Sequence, residues 1–167
     1  MIDIQQEYVD KGIATIEKSL AKLVSKERMS QEDADAARSR ISTAIDRNAC
    51  ADVDLVVEAV PEILDLKLSI FSELDGICKG DCILATNTSS ISISEIAGAT
   101  SRPDKVIGMH FMNPVPIMKL VEVINGKETS KDVTSAVLEA AERMGKIPLM
   151  CNDSPGFVSN RILCPMI

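Results

Sequence analysis

One histidine and one glutamate raise the first chemical possibility. His110, the only histidine, lies in the apolar segment 105–111, and Glu122 lies in a second apolar segment, 117–124. The connection between them is Met112-Asn113-Pro114-Val115-Pro116. If the two segments are strands that fold back on each other, a register centred on Pro116 sets position 110 opposite position 122. Directly opposed side chains of an antiparallel pair lie about 5 Å apart at Cβ. A carboxylate so placed holds an imidazole in one orientation and stabilises its protonated form, as general-base catalysis requires. Taken singly, His110 reads as a satisfied buried imidazole and Glu122 as an exposed strand residue; the pair reads as chemistry.

Other polar groups have two readings each. Asn87-Thr88-Ser89-Ser90 follows an apolar run, so its hydroxyls either cap an ordinary loop or bond a substrate or cofactor. Lys18, Lys22, Lys26 and Arg28, interleaved with Ser19 and Ser25, form a basic stretch. That stretch is either a solvated face or a grip on phosphate. A glycine-rich phosphate loop is missing: none of the eight glycines forms a G-x-G pair. Asp3 sits inside a short hydrophobic segment ahead of a helix. It resembles the ribose-binding acid of a dinucleotide fold's second strand, with everything before that strand removed.

The elements that must position these groups alternate along the chain. Val9, Ile13, Ile16, Leu20 and Leu23 recur at helical steps, so a helix is expected from near residue 5 to about Met29. Ser30-Gln31-Glu32-Asp33 should cap a second helix. A strand at 54–60, stopped by Pro61, precedes a helix at 63–78 with Leu66, Ile70, Phe71 and Leu74 on one face and Gly80 at its end. A strand at 82–85, a short helix capped by Ser92 and strands at 105–111 and 117–124 follow. Next come a helix opened by 129–132, carrying Val133, Val137, Ala140 and Met144, and a strand at 147–151. Ser154 suits the N-cap and Pro155 the first turn of a final helix. This alternation specifies an α/β fold, a doubly wound and mainly parallel sheet with helices on both faces. Ligands of such sheets bind beyond the carboxyl ends of the strands, where the polar groups after segments 54–60, 82–85 and 105–111 all fall.

Composition narrows the function classes. At 167 residues the chain suits one domain, and its 26% charged and 46% hydrophobic residues are those of a globular protein. A formal charge of −7 argues against a general nucleic-acid binder, which needs a basic face. No apolar run approaches the roughly 20 residues of a membrane helix, and the first residues show neither a basic nor an apolar leader region. Five scattered cysteines without a paired C-x-x-C motif read as reduced thiols rather than a disulfide framework or a zinc site. No metal is expected.

Five motifs then carry a resemblance. Segments 54–62 (DLVVEAVPE), 87–90 (NTSS), 108–116 (GMHFMNPVP), 118–123 (MKLVEV) and 153–161 (DSPGFVSNR) closely resemble the 3-hydroxyacyl-CoA dehydrogenase family, in its order and spacing. The resemblance implies a partial Rossmann-type NAD-binding domain over residues 1–152 that lacks the first βα unit. Residues 153–167 would begin a truncated helical C-terminal domain. It implies NAD as cofactor and a 3-hydroxyacyl-CoA thioester as substrate, oxidised to the 3-oxoacyl-CoA and back. His110 matches the base, Glu122 its orienting partner, Ser89 the hydroxyl on the substrate oxygen and Asn160 the helix residue completing the site. Asp3, Glu62, Lys67 and Ser89 match cofactor contacts; Ser19, Lys26, Lys67 and Asn113 match the substrate side. A parent enzyme would be a cytoplasmic homodimer (mitochondrial or peroxisomal in a eukaryote), joined through the helical domain, and this chain a feebly active fragment. Two alternatives stand beside it: a non-catalytic structural or interaction protein of the same fold, and a relative acting on hydroxy acids that are not thioesters.

Overall fold

The structure, a computed structural model, describes residues 1–166 and divides into two compact units, Met1–Ala49 and a larger one that begins at Cys50.

The smaller unit is a helical hairpin. Helix α1 (Gln6–Ser25) ends before the expected Met29, because Glu27 turns into the left-handed region at φ 56°. Lys26 and Arg28 therefore leave the helix that carries Lys18 and Lys22. Helix α2 (Gln31–Ser39) starts where the capping pattern places it: the Ser30 hydroxyl accepts from the Asp33 backbone N–H at 3.0 Å. Arg38 of α2 pairs with Glu17 of α1 at 2.8 Å. The short segment ahead of α1 makes one parallel bridge, Ile2 to Ala44, a partner the apolar pattern does not announce.

In the larger unit five strands lie in chain order: β1 (Leu55–Glu58), β2 (Ile83–Thr86), β3 (Val106–Phe111), β4 (Leu120–Asn125) and β5 (Ile147–Asn152). Every neighbouring pair is parallel except β3 and β4, which are antiparallel. Helices α3 (Leu64–Ile77), α4 (Ile93–Ala97) and α5 (Lys131–Arg143) connect the parallel strands, and α6 (Ser159–Leu163) follows β5.

Strand alternation sorts the side chains into two cores. Ala85, Ile107, Met109, Val121 and Val123 face Val133, Val137 and Ala141 of α5. The valine, isoleucine and methionine side chains among these each contribute roughly 1.5–3 kcal/mol when fully buried, the alanines less. On the other face Gly108 and Ile124 meet Ile93 of α4. A Cβ at Gly108 would stand 2.8 Å from Ile93 Cδ1 and 3.0 Å from Ile124 Cβ, so the missing side chain is what lets α4 lie this close. His110 and Glu122 fall on this same face by the period-two rule.

Two sequence expectations are corrected. The inward face of α3 carries Lys67, Ile70, Phe71 and Leu74, while Leu66 is 36% exposed. A lysine takes the place expected for a leucine because a buried carboxylate waits opposite it. The helix ends where expected, with Cys78 extended (ψ 149°) as its cap two residues ahead of Gly80. Secondly, Ser154 does not cap a helix and Pro155 does not begin one. Gly156 (φ 74°) and Phe157 (φ 50°) are both left-handed, which delays α6 to Ser159. The acid just before them, Asp153, instead accepts from the backbone N–H groups of Ile93 and Ser94 and from both serine hydroxyls of α4's first turn.

Candidate functional site

The β3–β4 register sets His110 opposite Glu122. The His110 Nδ1 lies 2.8 Å from Glu122 Oε2, and both side chains are buried. The Phe157 ring is tilted 59° to the imidazole at 5.9 Å between centroids. On its other oxygen Glu122 accepts from the backbone N–H of Val158 (3.1 Å) and Ser159 (2.8 Å) and from the Ser159 hydroxyl (3.0 Å). The Cys151 thiol adds a weaker donor at 3.7 Å. Burial by itself would push the Glu122 carboxyl up; the bonds from His110, Ser159 and Val158 outweigh it and hold the group below the usual carboxylate range. Hydrogen bonding thus favours the charged form of Glu122 against its burial.

The loop after β2 is built as tightly. Asn87 receives its strand-like bond through its N–H, which donates to the Glu58 carbonyl at 2.8 Å, while its side-chain oxygen accepts from Phe111 N–H at 2.8 Å. That fastens the loop to β3 one residue beyond His110. Glu62 Oε1 accepts from Ser89 N–H (2.9 Å), Ser90 N–H (3.2 Å) and the Thr88 hydroxyl. Burial raises the Glu62 carboxyl, but Thr88, Ser89 and Lys67 together bring it below its ordinary value. The Asn160 amide donates to the Ser89 carbonyl at 3.2 Å.

A continuous path therefore joins four of the expected residues: His110 to Glu122, Glu122 to Ser159, its chain neighbour Asn160, and Asn160 to Ser89. Glu62 joins it through the loop. Asn113 is exposed in the β3–β4 connection, at a cis bond to Pro114. Lys67, expected beside the cofactor and on the coenzyme A side, is buried. Its side chain is 1% exposed, and its ammonium is engaged by Glu58 (2.8 Å), the Val60 carbonyl (3.3 Å) and Glu62 (3.4 Å). Within the protein it braces Glu62. Asp3, Ser19 and Lys26 lie exposed in the smaller unit, Asp3 accepting from the Ile4 N–H and Ser19 donating to the Thr15 carbonyl. Ser159 and Phe157 are the residues to which sequence reasoning gave no role, and Asn87, named only with its loop, proves to fasten that loop to β3. The signal for Ser159 was its place beside Asn160 in the fifth motif.

Among the described residues no group of three or more His, Cys, Asp or Glu side chains is arranged to hold a metal ion, and no helix is long and apolar enough to cross a membrane.

Comparison with known proteins places the chain in a family. Residues 1–154 match the family described as 3-hydroxyacyl-CoA dehydrogenase, NAD binding domain. The 3-hydroxybutyryl-CoA dehydrogenase of Clostridioides difficile is 49% identical over 162 residues, which are 97% of this chain and 58% of that protein. The fatty acid oxidation complex subunit alpha of Psychrobacter arcticus is 42% identical over 165 residues, 99% of this chain but 23% of its own length. The crystal structure of (S)-3-hydroxybutyryl-CoA dehydrogenase from Ralstonia eutropha superposes with a TM-score of 0.97 at 46% identity, covering 99% of this chain and 59% of that one. The chain spans less than two thirds of each of these three relatives.

Proposed function

Because the chain belongs to the 3-hydroxyacyl-CoA dehydrogenase family through its NAD-binding domain, we propose that it carries the proton-transfer machinery of an NAD-dependent oxidoreductase. Its substrate would be the 3-hydroxyl of a 3-hydroxyacyl-CoA, oxidised reversibly to the 3-oxo thioester. The observation that supports this most is the His110–Glu122 pair. Among the described residues the imidazole's only hydrogen bond uses Nδ1, so Nε2 is the nitrogen that exchanges a proton with a ligand.

The donor set fits NAD in part. Asp3 offers an exposed carboxylate, just after a parallel-bridged residue, for a ribose diol. The Glu62–Ser89–Ser90 loop lies at the carboxyl end of the sheet, where such ligands bind. A glycine cradle for the pyrophosphate is not in this sequence. When bound, NAD supplies the hydride acceptor. The protein's own residues do the rest. His110 Nε2 removes the hydroxyl proton, and Glu122 steadies the imidazolium that results. Ser89 Oγ bonds the reacting oxygen, with Asn160 closing that side. Glu62, braced by Lys67, shapes the cofactor end; Asn113, Ser19 and Lys26 serve the thioester. Residues from 153 onward belong to the helical domain in this reading, a homodimer forms through that domain, and five free cysteines suit a cytoplasmic setting.

The test is binding first and turnover second. NADH and acetoacetyl-CoA are titrated separately into the chain by calorimetry, with free acetoacetate as the comparison. Binding of the thioester and of NADH, with free acetoacetate silent, supports the assignment. Reduction of acetoacetyl-CoA, followed as loss of the reduced-nicotinamide absorbance, should then fall about a hundredfold or more in His110→Gln. Binding of neither ligand would overturn the reading and favour a structural role.

A further inference from the structure

We infer that Ser159 is a positioning residue for the His110 base, acting through Glu122; this rests on the assignment of His110 as base.

The reasoning begins with the turn between β5 and α6. Phe157 is a non-glycine residue held at φ 50°, a conformation that costs of order 1–3 kcal/mol at a bulky side chain. Val158 follows in the right-handed region (φ −101°, ψ −52°). A left-handed residue followed by a right-handed one makes successive N–H groups converge, a concavity suited to one anionic oxygen. Here the N–H groups of Val158 and Ser159 converge on Glu122 Oε1. Phe157 is itself buried against His110, so the ring that faces the imidazole is the same residue whose strained backbone aims the clamp. The Ser159 hydroxyl supplies the third strong donor, at 3.0 Å.

The consequence is a division of labour between the two oxygens of one carboxylate. Oε1 is fixed by the turn, and that leaves Oε2 for Nδ1 alone. The titratable groups that face Glu122 are His110 from β3 and Cys151 from β5. The thiol is pushed up to about 11, first by burial and then by Glu122, so it stays neutral and does not compete for the charge. The Ser159 hydroxyl is then the one side-chain donor on Oε1 that is fully polar. It acts on the base without touching it.

Because the protein has a single histidine, one imidazole signal reports the site without ambiguity. The experiment uses the whole chain, labelled with carbon-13 and nitrogen-15, in the wild-type form and as Ser159→Ala, Ser159→Thr and Ser159→Val. Two quantities are followed by NMR: the titration of the Glu122 carboxyl carbon, and the solvent exchange of the His110 Nδ1 proton. Removal of the hydroxyl in Ser159→Ala and Ser159→Val should raise the proton affinity of Glu122 roughly three- to tenfold and speed the Nδ1 exchange. Ser159→Thr should restore both. Threonine and valine have nearly the same shape, so their difference isolates the hydroxyl from packing. Overlapping curves for valine and threonine, or an alanine variant that titrates as wild type, would overturn the inference. No substrate or cofactor enters the measurement. A failure here therefore leaves the dehydrogenase reading standing, and a failure of ligand binding leaves this result untouched.

Discussion

Glu58 at the end of β1 and Lys67 in the second turn of α3 form an ion pair at 2.8 Å, with side chains 2% and 1% exposed. Two charges out of water are stable only when each also finds its remaining hydrogen bonds. These do: Glu58 further accepts from Thr86 Oγ1 at 2.8 Å and Val60 N–H at 2.6 Å, and Lys67 donates to the Val60 carbonyl. Lys67→Ala leaves a buried carboxylate without its cation and should cost about 3–5 kcal/mol. The paired apolar replacement Glu58→Leu with Lys67→Met should recover most of that loss. Urea unfolding of the two variants checks it; equal destabilisation by the single and the double change would remove the argument.

The same pair shows where the sequence was readable and where it was not. The antiparallel register of β3 and β4 follows from the spacing of His110, Pro116 and Glu122, and the structure shows it. Helix caps at Ser30, Ser92 and Ser130 also appear where the residue types place them. Leu66 was put on the inward face of α3, where Lys67 lies, because helical phase is read from apolar residues and a buried lysine is visible only once the carboxylate of another element is known. Ser154 was misplaced because Ser-Pro is a sound start signal locally, whereas the left-handed pair Gly156 and Phe157 is set by packing on His110. Asp153, taken with that motif, serves a helix some sixty residues earlier in the chain. Long-range partners of this kind leave no local trace.

Gly108 should be intolerant of any side chain. Gly108→Ala places its Cβ against Ile93 Cδ1 and Ile124, and overpacking of this sort costs about 1–3 kcal/mol. Ile93→Val removes the methyl that clashes first, so the double variant should recover part of the loss. Thermal unfolding measures both. A Gly108→Ala protein as stable as wild type would mean that α4 does not lie this close to the sheet.

Acid should unfold the protein through its capped carboxylates. Burial raises the Asp153 carboxyl, but the donors from Ser94, Ile93 and Ser92 outweigh it and set it below its usual 3.8. Asp75 is lowered in the same way, against burial, by Ser101 and Arg102. A carboxyl depressed in the folded state binds protons more weakly than in the unfolded chain. Its contribution is therefore complete above the unfolded value and lost as pH falls through the folded one. Stability should be flat near neutrality and decline below pH 3.8 from these two groups. Asp153→Asn should lose about 1.5–3 kcal/mol at neutral pH and show a shallower acid decline. Chemical denaturation across an acid series measures the slope; an unaltered slope would remove Asp153 from the account.

Thiol chemistry offers the last expectation. Cys50, Cys78, Cys82 and Cys151 are buried, and Cys164 is exposed. The thiolate is the reactive form. Burial pushes Cys78 up to about 11, with Cys82 adding to it, and Cys151 is raised to about 11 by burial and by Glu122. Cys82 is raised as well, chiefly by burial. A small alkylating reagent at neutral pH should therefore modify Cys164 quickly and the other four only after denaturant opens the fold. Mass spectrometry of peptides from briefly labelled native chain gives the order directly. Cys151 is the informative one, because its thiol lies 3.7 Å from Glu122 Oε1, the carboxylate that pairs with His110. Early modification of Cys151 in the native chain would show that its buried place beside Glu122 opens in solution.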